Sequence, residues 1–139
     1  MVNKQEVVAV QTSQASQIVG IHTVGIRVTD QERARRFYVD VLGLEAKLDR
    51  PLGNGARWIE VAPAQASVTL ALELARSDAP AAVETGVRLI TLDADAENAR
   101  LKSHGVDVGD VLRWPGVPPM FVFRDQDGNR LEIVQQAVS

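Results

Sequence analysis

At 139 residues, with a formal net charge of −3 and no cysteine, the chain suits one domain, or two very small modules sharing a core. It is too acidic to present the basic face that nucleic acid or an anionic membrane requires. Without thiols there are no disulfides, and any metal would be held by His and carboxylates.

Residues 1–20 read as a flexible N-terminal tail. Val7 to Val10 is a short apolar patch followed by a Gln/Ser/Thr-rich run, without the basic start, long apolar stretch and small-residue cleavage site of a signal peptide. The competing reading is a strand added to an exposed sheet edge. No apolar run approaches the length of a membrane span, and a cytoplasmic location is expected.

From residue 21 the pattern is regular. Ile21 to Val28 is a strand with Val24, Ile26 and Val28 on one face and Thr23, Gly25 and Arg27 on the other; His22 shares the parity of the apolar face. Thr29 and Glu32 have capping-box spacing, and Asp30 is itself a good helix cap. Ala34, Phe37, Tyr38, Val41 and Leu42 recur at three and four, an amphipathic helix that stops at Gly43. Strands follow over residues 44–48, 57–62 (carrying Trp58) and 67–74. In the last, Val68, Leu70, Leu72 and Leu74 oppose Ser67, Thr69, Ala71 and Glu73.

After a linker-like stretch the pattern restarts. Gly86-Val87-Arg88-Leu89 echoes Gly25-Ile26-Arg27-Val28 and again leads to an acidic cap, Asp93 or Asp95. An alanine-rich helix runs to Gly105, with His104 in its last turn as a helix-end cation. A strand near residues 106–111 and a loop over 112–119 holding Trp114 come next. Met120 to Phe123 and Leu131 to Val134 flank Asp125-Gln126-Asp127-Gly128-Asn129, a β-hairpin signature. Alternation turns Glu132 away from Leu131 and Ile133, so it is solvated, paired with a cation or metal, or perturbed in pKa. The fold class is α+β: two βαβββ modules, about 21–75 and 86–136, form a pseudo-twofold internal repeat within a single domain over 21–139.

The paired modules, Ala34-Arg35-Arg36-Phe37-Tyr38 with Val41-Leu42-Gly43-Leu44, and the hairpin from Asp125 to Glu132 resemble the vicinal oxygen chelate superfamily. That group includes glyoxalase I, bleomycin-resistance proteins, fosfomycin-resistance enzymes and extradiol dioxygenases. The resemblance covers about Ile21 to Gln136. It implies a curved mixed sheet enclosing a pocket, in many members with a divalent metal held by one side chain from each of four strands and acting as a Lewis acid. It specifies fold far better than reaction.

Two of those four positions are kept as acids, Glu73 and Glu132. The third falls on Val87, which cannot ligate. At the first, Thr23 precedes Val24-Gly25-Ile26 where the family places His, and His22 lies one residue earlier, on the opposite face unless the strand bulges. The metal candidates are therefore Glu73, Glu132 and His22; the two carboxylates alone, without an imidazole, suit Mg²⁺ or Ca²⁺ better than Zn²⁺ or Ni²⁺, and they equally suit pairing with Arg27 or Arg130. Two functional readings follow. In the first, no cofactor is needed and the protein binds a small organic ligand, aromatic or drug-like, against Trp114, Trp58, Thr23, Arg27, Val87 and Arg130. In the alternative, it is a lyase, isomerase or transferase of the glyoxalase type that uses a divalent ion (Mg, Mn, Ni or Zn), with Glu73 or Glu132 as catalytic base. A homodimer is expected in either case, with no nucleic-acid or membrane partner.

Overall fold

Which side of most strands is buried follows from alternation, while residues 59–62 and 69–72 are buried on both faces. In the computed structural model, which describes residues 15–137, the first module comprises β1 (Thr23–Val28), α1 (Gln31–Arg36), a single π-helical turn (Phe37–Val41), β2 (Glu45–Pro51), β3 (Arg57–Ala62) and β4 (Thr69–Leu74). Its sheet has the order β1-β4-β3-β2, with β1 and β4 parallel. The reading of Val7 to Val10 lies outside the described residues. Asp30 is the cap of α1, its carboxylate accepting from the Arg33 N–H at 3.0 Å. Thr29 makes no capping box. Its N–H and hydroxyl both go to Asp127 of the second module, at 2.9 and 2.6 Å.

The helix expected to run unbroken to Gly43 instead changes pitch at Phe37. The N–H of Leu42 reaches back five residues to the Phe37 carbonyl, at 2.9 Å, the widened turn of a π-bulge. Ala34, Tyr38 and Leu42 are buried along this segment.

The second module comprises β5 (Glu84–Thr91), α2 (Ala94–Ser103), β6 (Asp107–Val108), β7 (Leu112–Trp114), β8 (Val117–Arg124) and β9 (Arg130–Gln135), in a sheet ordered β5-β9-β8-β6 with β7 also on β8. Asp93 caps α2, and His104 ends it, with its ring Nδ1 at 2.9 Å from the Arg100 carbonyl. The expected strand over 106–111 is only two residues long, and much of the expected loop is ordered. Trp114 pairs with Val117 and Leu112 with Met120, so the chain folds back on β8 as an extra hairpin.

Ile26 and Val28, Ile59 and Val61, Leu70 and Leu72, Phe121 and Phe123, and Leu131 and Ile133 are the buried alternates of their strands. They form one core with Ala34, Tyr38, Leu42, Ala94 and Leu101 of the helical segments. Both sheets therefore turn the same kind of face inward, and each sheet's other face points away from the shared core. The modules are fastened at the β8–β9 turn, where Gly128 takes a positive φ of 83° that suits glycine. Buried Asp125 accepts from the Tyr38 hydroxyl (2.7 Å) and from the N–H groups of Asp127 and Asn129 (2.9 Å each). The fully buried Asn129 amide donates to the Arg27 carbonyl and accepts from the Val83 N–H. From α2, Arg100 donates to the carbonyls of Val41 and Leu42.

Candidate functional site

On the outward face of the first sheet, strand register sets side chains in rows. Thr23 stands beside Thr69, Gly25 beside Ala71, and Arg27 beside Glu73; Ala71 in turn faces Glu60, and Trp58 faces Arg50. Antiparallel continuation from the Glu60–Ala71 pair sets Trp58 next to Glu73. Arg27 pairs with Glu73 at 3.2 Å. Glu73 leans across β1 toward the small residues: a Cβ on Gly25 would fall inside van der Waals contact with its Oε2.

The centre of this face is a carboxylate that the sequence reading passed over. Glu60 is only 4% exposed. Its Oε2 accepts from the Trp58 indole N–H at 2.8 Å and lies 3.2 Å from His22 Nε2, while Oε1 is 2.8 Å from the Thr69 hydroxyl. Thr69 Oγ1 is also 2.8 Å from Thr23 Oγ1. A hydroxyl has one proton and an ionised carboxylate can only accept, so Thr69 donates to Glu60, the single Thr23 proton is left for the Thr69 hydroxyl or the Thr69 carbonyl at 3.1 Å, and His22 carries its hydrogen on Nε2. The Trp58 N–H, joined by Thr69 and His22 and opposed by burial, holds the Glu60 carboxyl below the usual glutamate range. The signal was available. In Trp58-Ile59-Glu60-Val61 the acid alternates with two core aliphatics, Ile59 and Val61.

His22 reaches this face although its parity puts it on the other. The β1–β4 register is continuous from the Thr23–Thr69 pair, so no bulge is involved. His22 lies one residue before the strand, where pleating does not dictate direction, and its side chain is 77% exposed.

On the second sheet's outward face, Arg88 stands beside Glu132 and donates to it at 2.7 Å. Arg130 reaches Glu132 at 3.5 Å and also pairs with Glu84. Val87 has the opposite parity and belongs to the core. It also lines an apolar cleft of about 580 Å³ between the start of β1 and β4 (Val24, Val68, Leu70) and β5 (Val87, Leu89). Trp114 sits on the outlying β7–β8 hairpin, 53% exposed. The sequence candidates thus divide. Thr23, His22, Arg27, Trp58 and Glu73 share one face, Arg130 and Glu132 another, and Val87 and Trp114 stand apart.

Among the described residues, no three His, Asp or Glu side chains come together as a metal-ligand group. Glu73 and Glu132 lie on different sheets, each neutralised by arginine. Within one chain this donor set does not fit a divalent ion, which needs converging, charge-uncompensated oxygens.

A mixed α+β architecture of two repeated modules, whose helix-bearing sheet faces pack into one core, defines a fold of the glyoxalase type. Residues 20–133 match the model of the Glyoxalase/Bleomycin resistance protein/Dioxygenase superfamily, and the chain belongs to that superfamily. It is 33% identical to the solved structure of TnmS3, an antibiotic binding protein from Streptomyces sp. CB03234, covering 88% of this chain and 100% of that one with a TM-score of 0.79. A superfamily member from Sphaerobacter thermophilus is also 33% identical, with coverage of 87% and 100% and a TM-score of 0.79. Protein YetH of Bacillus subtilis is 30% identical over 114 residues, 78% of this chain and 92% of its own length. No helix among the described residues is long and apolar enough to cross a membrane.

Proposed function

We propose that the protein binds a small organic molecule on the outward face of the first sheet, as a homodimer in which a second copy covers that face. The observation that carries this reading is the ordered polar row Arg27, Glu73 and Trp58 beside the buried, fully hydrogen-bonded Glu60. A face meant only for solvent has no reason to bury a carboxylate, because desolvation costs several kcal/mol before any bond is made. The similarity to an antibiotic binding protein supports a drug-like ligand. Arg27 and Glu73 supply orientation, and Trp58 supplies apolar area. The test is a thermal-shift and tryptophan-fluorescence screen of aromatic natural products, repeated with Trp58→Ala and Arg27→Ala. A hit is expected to raise the melting temperature of the parent and to lose that effect in both variants.

A second location is favoured by the apolar cleft, whose volume falls within the range of small-molecule sites. A ligand held there survives Trp58→Ala and is expelled when Val68→Trp fills the space. The catalytic alternative is a metal-dependent lyase, isomerase or transferase using Glu73 and Glu132, which requires a second copy to bring the two carboxylates together and the ion to displace Arg27 from one and Arg88 and Arg130 from the other. Elemental analysis of the purified protein decides it. Stoichiometric metal that disappears in Glu132→Gln supports the enzyme, whereas protein that stays empty after incubation with Mg²⁺, Mn²⁺, Ni²⁺ and Zn²⁺ supports the binding module.

A further inference from the structure

Glu60 is buried without any Lys or Arg in ion-pair range among the described residues; His22 is its one cationic-capable neighbour. Neutral donors satisfy it on both oxygens, Trp58 on one and Thr69 on the other. Two residues apart on one strand face, Glu60 and Trp58 form a unit in which the donor edge of the indole is already consumed. What remains of the half-buried Trp58 for an incoming molecule is its π surface and carbocyclic edge.

We infer that Glu60 is a positioning residue that locks the indole of Trp58 into a rigid, donor-free aromatic wall, so that the site selects flat aromatic ligands by stacking and not by a hydrogen bond from Trp58. This inference rests on reading the outward face of the first sheet as the ligand site. Three features of the geometry support it. The carboxylate is nearly inaccessible, so it addresses Trp58 and not the ligand directly. Its second oxygen is pinned by the Thr23–Thr69 hydroxyl pair, which removes its own rotational freedom. A two-torsion aromatic held by a charge-assisted bond loses little entropy on binding. Polar selectivity then falls to Arg27, Arg50 and Glu73 around the ring.

The test has two readouts. In ¹⁵N spectra, the Trp58 Nε1–H peak, assigned with Trp58→Phe, is expected far downfield and protected from water exchange. It should move upfield in Glu60→Gln, which still accepts through its amide oxygen, and lose protection in Glu60→Leu. An indole peak unchanged in both variants overturns the positioning role whatever the protein binds. Binding is read with proflavine, a planar aromatic cation, against 1-adamantylamine, a compact aliphatic cation. Proflavine affinity is expected to fall about tenfold in Glu60→Leu and to recover in part in Glu60→Gln, with adamantylamine indifferent to both. If the indole peak moves as expected but Trp58→Ala binds proflavine as the parent does, Trp58 is not a ligand wall and the functional reading of this face fails instead. Should Glu60→Leu not fold, Glu60→Gln alone reports both quantities.

Discussion

A missing Cβ gives the outward face of the first sheet its shape. Gly25 has no need of a positive φ; its lack of a Cβ leaves the space across which the Glu73 carboxylate lies. Gly25→Ala forces that flexible side chain aside and breaks its 3.2 Å pair with Arg27. A half-exposed pair of this kind contributes under about 1 kcal/mol, so urea unfolding should register little change while any ligand oriented by Glu73 binds more weakly. Glu60 behaves differently. Its folded pKa lies below the usual value, so between the two values the unfolded chain binds more protons. The stability Glu60 contributes is present above about pH 4.3, the ordinary glutamate value, and is lost as pH falls through the folded value. Unfolding midpoints measured down the acid range should fall less steeply in Glu60→Gln than in the parent, with parallel slopes above that pH.

At the scale of elements, the β8–β9 turn ties the two modules. Asp125 accepts four hydrogen bonds, from Tyr38 and Asp127 and twice from Asn129. Burial, reinforced by the Asp125 charge, holds the Tyr38 phenol well above its usual range, so it stays a donor wherever the protein is folded. Asp125→Ala strands that hydroxyl and two backbone N–H groups in the interior. The expected loss is about 3 kcal/mol or more, measured as a drop in denaturation midpoint with an unchanged m-value. Asp125→Asn, which keeps an acceptor, should lose less. The π-turn belongs to the same device, since it widens α1 where Tyr38 turns inward to meet the hairpin.

At the scale of the molecule, β1 and β5 are each an end strand of their sheet, with one edge unpaired among the described residues. Large apolar residues stand exposed close to both, Ile18, Val19 and Ile21 before β1 and Ile90 and Leu92 at the end of β5. Open edges and exposed aliphatics invite association. Light scattering should report a dimer, and Ile90→Lys should shift it toward monomer while leaving circular dichroism intact. A monomer at all concentrations would remove the cover that the proposed site relies on.

Alternation and capping made most of the β-strands, both helix starts and the β8–β9 hairpin legible in the sequence, because strand and helix periods are local properties of neighbouring residues; β7 and the π-turn at Phe37 were not. The same rule correctly turned Thr23, Arg27, Glu73 and Glu132 away from the core. Local rules misjudged what distant segments compete for. Thr29 leaves the capping box because Asp127, 98 positions away, offers a charged acceptor, and His22 escapes strand parity to meet Glu60. Whether Glu73 and Glu132 share a pocket was likewise undecidable from spacing. The packing of both helix-bearing faces into one core sends the two carboxylates to separate surfaces, each beside an arginine of its neighbouring strand. Periodicity in the sequence thus determined which side chains point outward; only the tertiary structure decided which of them meet, because that depends on how the two sheets share a single core.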